Sequence, residues 1–187
     1  MNKKLFALIA FFCALALFSS CGSDDDNEVD EVWKAYNEQK FKEIANDSKY
    51  KERKSLSQNG SVYWKDIRSE NFFGNDVPAY DPNSKPPVFT DSVVVRYEGS
   101  FLKQDGTPYV FDSTEGDGNG KVMRTRVNGL IDGFTTMLQY MRIGEQVDVY
   151  IPYQLGYKEA GSYSGYVQTI PGYTTLRFKI CLVDVIR

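Results

Sequence analysis

Apolar positions along the chain fall into three patterns, and each predicts a different kind of element. The first is an unbroken apolar run from Leu5 to Phe18, set behind Asn2, Lys3 and Lys4 and followed by Ser19, Ser20 and Cys21. A positive start, a short greasy middle and small residues before the cut are the anatomy of a secretory leader. The run is shorter than the ~20 residues a helix needs to cross a bilayer core. The second pattern is helical: Val32, Trp33, Tyr36, Phe41 and Ile44 are spaced roughly as one helical face in a stretch rich in Lys, Glu and Gln. No Pro or Gly interrupts it, which predicts a helix over residues 31–57. Phe134, Met137, Leu138 and Met141 make a second, shorter stripe.

The third pattern is strict alternation. Residues 61–67, 92–101, 122–127, 147–151 and 176–182 read as strands, and Asp105-Gly106 turns the chain back from 92–101 toward Tyr109-Val110-Phe111-Asp112 as a hairpin. A Pro, Asn, Asp and Gly rich stretch from Phe73 to Pro87 is a long surface loop. No internal repeat is visible. The elements amount to an α+β fold, an antiparallel sheet with one short helix laid on it and a helical segment in front. The chain divides into a leader at 1–20, an acidic linker at 21–30, a helical segment at 31–57 and a folded domain at 58–187.

Composition narrows the chemistry. The 187 residues are 42% hydrophobic and 14% aromatic, enough to build a core, and they contain no His. Imidazole bases, Ser-His-Asp triads and His-ligated zinc are therefore excluded. A hydrolase built on Ser or Thr with Lys or a carboxylate has no motif behind it. Losing Lys3 and Lys4 with the leader lowers the formal charge of −3 by two, to about −5. No basic surface for nucleic acid is implied. Of three cysteines, Cys13 leaves with the leader and Cys21 sits at its end, which strands Cys181 as a small hydrophobe in a strand. Glu115-Gly116-Asp117-Gly118-Asn119-Gly120 imitates the start of a calcium loop, but Arg126 stands where a bidentate Glu is needed, so a flexible hairpin tip is the better reading. Two N-x-S sequons, at Asn46 and Asn59, carry no expectation.

Ser19-Ser20-Cys21 resembles the lipobox of bacterial lipoproteins, with Phe18 where Leu is preferred. The resemblance implies that Cys21 becomes a lipidated first residue, anchoring the protein in the cell envelope; an ordinary leader cut near the same place is the alternative. The acidic run Asp24-Asp25-Asp26 with Glu28, Asp30 and Glu31 reads as a solvated linker. It also resembles the surface-export signal of some Gram-negative lipoproteins, which implies an outer membrane location with surface display.

Six fragments, in order over about residues 90–187, resemble the FKBP family of peptidyl-prolyl cis-trans isomerases: Val93 to Phe101, Phe111 to Thr114, Leu130 to Phe134, Ile143 to Pro152, Leu155 to Tyr157 and Ile170 to Phe178. The implied fold is a half-open antiparallel sheet wrapped around the short helix, with a pocket between them. The implied catalytic set is Tyr97, Phe111, Asp112 and Tyr157, and the implied substrate-binding set is Met123, Leu130, Ile131, Phe134, Ile170 and Phe178. In that arrangement the Ile131 N–H and the Tyr157 hydroxyl hold substrate carbonyls, and Asp112 accepts a bond from Tyr97. Two positions depart from the family: Phe134 replaces the pocket-floor Trp, and Met123 and Thr125 replace aromatic wall residues. The implied function is isomerisation of proline-containing secreted or surface chains by a monomer that needs no metal or cofactor. The alternative is a catalytically weak peptide-binding or chaperone module on a surface lipoprotein.

Overall fold

The computed structural model describes residues 30–115 and 121–187, so the leader, Cys21, the linker up to Val29 and the 116–120 tip lie outside the described residues. In chain order the elements are α1 (Glu31–Ala45), β1 (Lys51–Lys54), β2 (Ser61–Asp66), β3 (Ser92–Leu102), β4 (Pro108–Ser113), β5 (Met123–Arg126), α2 (Asp132–Leu138), β6 (Gln146–Ile151), β7 (Ser162–Ser164), β8 (Val167–Ile170) and β9 (Leu176–Ile186).

Seven strands form one antiparallel sheet in the order β1-β2-β6-β9-β3-β4. β5 shares the open edge of β3 with β4: it pairs with Ser92 to Val95, while β4 pairs with Glu98 to Leu102. That division of one long strand between two short partners gives the half-barrel curvature. β7 and β8 stand apart as a small hairpin. The fold class is the α+β half-barrel that the alternation and the family resemblance predict.

Alternation places Val147, Val149 and Ile151 of β6 and Leu176, Phe178, Ile180 and Leu182 of β9 on the inner face, all buried. α2 fills that face. Its neighbours press from every side, so Gly133 through Leu138 are all buried, beyond the single apolar stripe. Gly133 explains the close approach, because a Cβ there would lie 2.3 Å from the Ile151 side chain. Thr135 turns its hydroxyl to the Val127 carbonyl at 2.7 Å, which removes the cost of burying it.

The first helix is shorter than its composition predicts. It ends at Ala45, and Lys51–Lys54 is a strand rather than helix. No apolar position extends the stripe past Ile44, and Asp47 accepts from Lys49 N–H at 3.0 Å in an Asx turn that reverses the chain. The charges of β1 suit an edge strand, where they discourage further pairing. Two of the cationic groups lie over rings: the Lys51 ammonium over Trp64 at 5.4 Å and the Arg53 guanidinium over Tyr140 at 4.0 Å.

α1 closes one end of the sheet. Asp30 caps it by accepting from Trp33 N–H at 2.9 Å. Trp33 is buried, donates its indole N–H to Gly172 O at 3.0 Å, and packs edge-on to Phe101 with ring centroids 5.9 Å apart. One turn later Asn37 accepts from Thr175 N–H at 2.8 Å, and Phe41 meets Tyr63 of β2 at 5.4 Å. On the outer face, Asp148 of β6 is fully buried between the guanidinium of Arg177, with two bonds of 2.8 Å, and the Tyr50 hydroxyl at 3.3 Å. Cys181 lies on the same face, and burial pushes its thiol up to about 12.

Candidate active site

β3 carries Tyr97, and the hairpin returns β4 beside it with Phe111 and Asp112. The Tyr97 hydroxyl donates to an Asp112 carboxylate oxygen in a short hydrogen bond. A β-bulge separates Gly99 from Ser100, and Gly99 faces Asp112 on one side and Phe178 on the other. Any Cβ at Gly99 would sit 2.7 Å from both the Phe111 and the Phe178 rings. Only glycine lets those two rings lie against the strand.

The rings then converge. Phe178 lies edge-on to Phe111 at 5.6 Å and to Phe134 at 5.1 Å, and Phe134 lies edge-on to Tyr97 at 6.1 Å. Edge-to-face contacts of this kind add to the stabilisation that burial provides. Tyr97, Phe134, Ile170 and Phe178 are all under a tenth exposed. Phe111, Met123, Leu130, Ile131 and Tyr157 are only partly buried, and each packs against the hydrophobic core to which those four belong. A buried aromatic floor is thus ringed by a half-exposed apolar rim.

The polar groups are few and placed at one edge. Burial, the hydrogen bond to Asp112, the carboxylate charge and the neighbouring Tyr157 push the Tyr97 hydroxyl well above the usual phenol range. Burial, and then the charge of Asp112, push the Tyr157 hydroxyl up as well. Both stay protonated donors at neutral pH. Below Tyr97 the chain is pinned by Thr114, a residue the motif comparison left without a role: its Oγ1 accepts from Tyr97 N–H at 2.9 Å and donates to Tyr97 O at 3.1 Å. Its signal is the Thr that closes Phe111-Asp112-Ser113-Thr114. Gly99 also went unassigned, and its signal is a glycine inside an otherwise apolar strand.

A pH consequence follows from the phenols. The folded chain holds the Tyr97 proton more tightly than the unfolded chain, so this contribution to stability is complete below the unfolded phenol value of ~10 and declines as pH rises beyond it. Urea unfolding at pH 8 and 10.5 should show the loss, and Tyr97→Phe should reduce the pH dependence. Equal stability of the wild type at both values would contradict the burial of this hydroxyl.

Of the ten residues expected at the site, nine are part of the hydrophobic core or pack against it. Asp112 is itself exposed and is tied in through Tyr97. Thr125 shares the face of β5 with Met123, pairs opposite Val93 and is half-buried, and its hydroxyl turns to the Arg126 carbonyl at 3.4 Å. Met123 is the β5 residue that packs against the core. Ile131 immediately precedes α2, and its N–H has no acceptor among the described residues.

Comparison with known proteins gives the same picture. The family model for FKBP-type peptidyl-prolyl cis-trans isomerase matches residues 83–183. The FKBP-type 22 kDa peptidyl-prolyl cis-trans isomerase of Escherichia coli is 35% identical over 100 residues, covering 54% of this chain and 44% of that protein. The outer membrane protein MIP of Legionella longbeachae is 38% identical over 101 residues, covering 53% of this chain and 38% of that one. The chain thus spans less than half the length of these curated relatives. Among solved structures, Escherichia coli FkpA superposes with a TM-score of 0.60 and 26% identity, over 83% of this chain and 60% of that chain. A peptidyl-prolyl cis-trans isomerase from Pseudomonas syringae superposes at 0.61 over 89% of this chain and all of that one, and at 21% identity it speaks to the fold alone. The matched stretch covers more than half of the chain and takes in strands β3 to β8, most of β9 and the aromatic cluster, and the chain belongs to the FKBP-type peptidyl-prolyl cis-trans isomerase family.

Proposed function

We propose that this protein is a peptidyl-prolyl cis-trans isomerase acting on proline-containing segments of secreted or surface polypeptides. The observation that carries the reading is the convergence of the Tyr97, Phe111, Phe134 and Phe178 rings beneath a half-exposed apolar rim, with the Tyr97–Asp112 hydrogen bond at its edge. An X-Pro bond rotates slowly because amide resonance gives the C–N bond partial double-bond character, with a barrier of ~18–20 kcal/mol. Rotation breaks no covalent bond, so the task is to favour the twisted amide over the planar one. The twisted form has lost resonance and much of its charge separation, and an apolar surface that excludes water suits it better than the planar amide.

In this reading Phe134 and Phe178 floor the proline ring and Met123 and Phe111 flank it. Leu130 and Ile170 complete the apolar lining. The Ile131 N–H and the Tyr157 hydroxyl donate to carbonyls of the peptide, and Asp112 holds the Tyr97 hydroxyl in one direction. No group in this scheme changes protonation, so acceleration should be level from pH 6 to 9. The test is cis-to-trans relaxation of an Ala-Pro-Phe peptide: a rate that rises in proportion to protein concentration is expected, and relaxation at the uncatalysed rate would overturn the reading. Phe134 in place of an indole and the polar Thr125 beside Met123 favour a second reading, a peptide-holding module. Peptide binding without acceleration would select it.

The proposed address is the cell envelope. Lys3, Lys4 and the apolar leader, with Cys21 as a lipidated residue, support an anchor, and an outer membrane protein among the relatives supports the compartment. The acidic run after Cys21 supports surface display, and the short helical segment supports a monomer. External protease on intact cells should then degrade the protein, whereas full protection would place it on an inner leaflet.

A further inference from the structure

Residues 51–66 precede the stretch matched by the family model, yet their hairpin reaches the helix beside the candidate amide donor. The β1–β2 turn is built around two serines. Ser55 is buried, Ser57 N–H donates to Ser55 Oγ at 3.1 Å, and Asn59 N–H donates to Ser57 Oγ at 3.3 Å. The backbone thus donates to both hydroxyl oxygens, and their protons serve each other and Asp132. Ser55 Oγ lies 2.9 Å from Asp132 Oδ1, and Ser57 Oγ is hydrogen-bonded to Oδ2. The two serine oxygens are themselves hydrogen-bonded at 2.6 Å, so one hydroxyl donates to the other and that one donates to the carboxylate. Thr136 Oγ1 approaches Oδ1 from within the helix at 3.3 Å.

Asp132 is the first residue of α2 and directly follows Ile131. The start of this helix has little else to hold it. Ile131, at the N-cap, contributes no side-chain hydrogen bond, so the usual lock on a first turn is missing. Gly133 against Ile151 and Thr135 on Val127 O set the depth of the helix and anchor its second turn. Neither of them grips residue 132.

We propose that Ser55 and Ser57 are positioning residues that, through the Asp132 carboxylate, fix the start of α2 and aim the Ile131 N–H at the substrate carbonyl. This role rests on the isomerase reading. It also makes the hairpin ahead of the matched stretch part of the working site. A donor aimed at a substrate oxygen is effective only over a narrow angular range.

The test uses the purified full chain with Ser55→Ala/Ser57→Ala and the hydroxyl-preserving Ser55→Thr/Ser57→Thr. The alanine pair should lower kcat/KM for the Ala-Pro-Phe peptide about tenfold, the rate equivalent of one weakened charge-assisted hydrogen bond. The threonine pair should restore it. With 15N-isoleucine labelling, the Ile131 amide cross-peak of the free protein should shift in the alanine pair and return in the threonine pair. Loss of stability without these changes would mark a merely structural turn. An unmoved Ile131 cross-peak, or an alanine pair with wild-type kcat/KM, would overturn the proposal. If the wild type fails to accelerate relaxation, the isomerase reading falls, and the Ile131 cross-peak alone then decides whether the serines position that amide.

Discussion

Tyr97→Phe should lower kcat/KM for proline isomerisation by about 10- to 100-fold, with the fold intact. The ring stays in its buried place against Phe134 and Phe178, and only the hydroxyl that bonds Asp112 is lost. A hydrogen bond to a charged group contributes ~1.5–3 kcal/mol, which sets that range when the bond serves the transition state. Asp112→Ala should cost a similar factor, because the Tyr97 hydroxyl then has no acceptor and no fixed direction. The informative variant is the double one. If the pair acts as a unit, Tyr97→Phe/Asp112→Ala should be about as slow as either single change. Losses that multiply would show that the hydroxyl and the carboxylate act independently and that their contact is incidental.

A second large effect is expected on stability, away from the site. Arg177→Ala should destabilise the protein by about 3–5 kcal/mol, since it strands a fully buried Asp148 with the Tyr50 hydroxyl and Lys65 Nζ at 3.9 Å as its remaining partners. Replacing both members, Asp148→Leu with Arg177→Met, should recover most of that loss, because an apolar pair needs no desolvation of charge. Urea unfolding measures both. The same variants should leave isomerisation per folded molecule near the wild-type rate, as Asp148 and Arg177 project from the opposite face to Val149 and Phe178. A lone Arg177→Ala as stable as the wild type would show that the carboxylate is compensated by something other than the guanidinium.

The strands were legible because one face of each is buried. Val147, Val149 and Ile151 against Asp148 and Tyr150 can be placed in only one register without turning the core outward. The end of α1 was less legible, since Lys51–Lys54 has no apolar alternation and its strand state comes from pairing with β2. β7 and β8 escaped notice for a similar reason: Tyr163 and Val167 are exposed, so burial imposes no pattern on them. At the site, Tyr97, Phe111, Asp112 and Phe178 were recognisable from their motif fragments. The need for glycine at 99 was not legible, because it depends on two rings that lie where a Cβ would be.

The chain by itself determined the sheet, the short helix, the aromatic character of the candidate site and the exclusion of imidazole chemistry. Those follow from local periodicity and residue type, which act over a few neighbours. Tertiary structure alone decided that α1 caps the sheet end through Trp33, that Asp148 is buried against Arg177, and that Ser55 and Ser57 reach Asp132. Each of these joins residues far apart in sequence through hydrogen-bond geometry. Hydrophobic spacing carries no record of such pairings, because polar side chains of the same kinds would serve equally well in water.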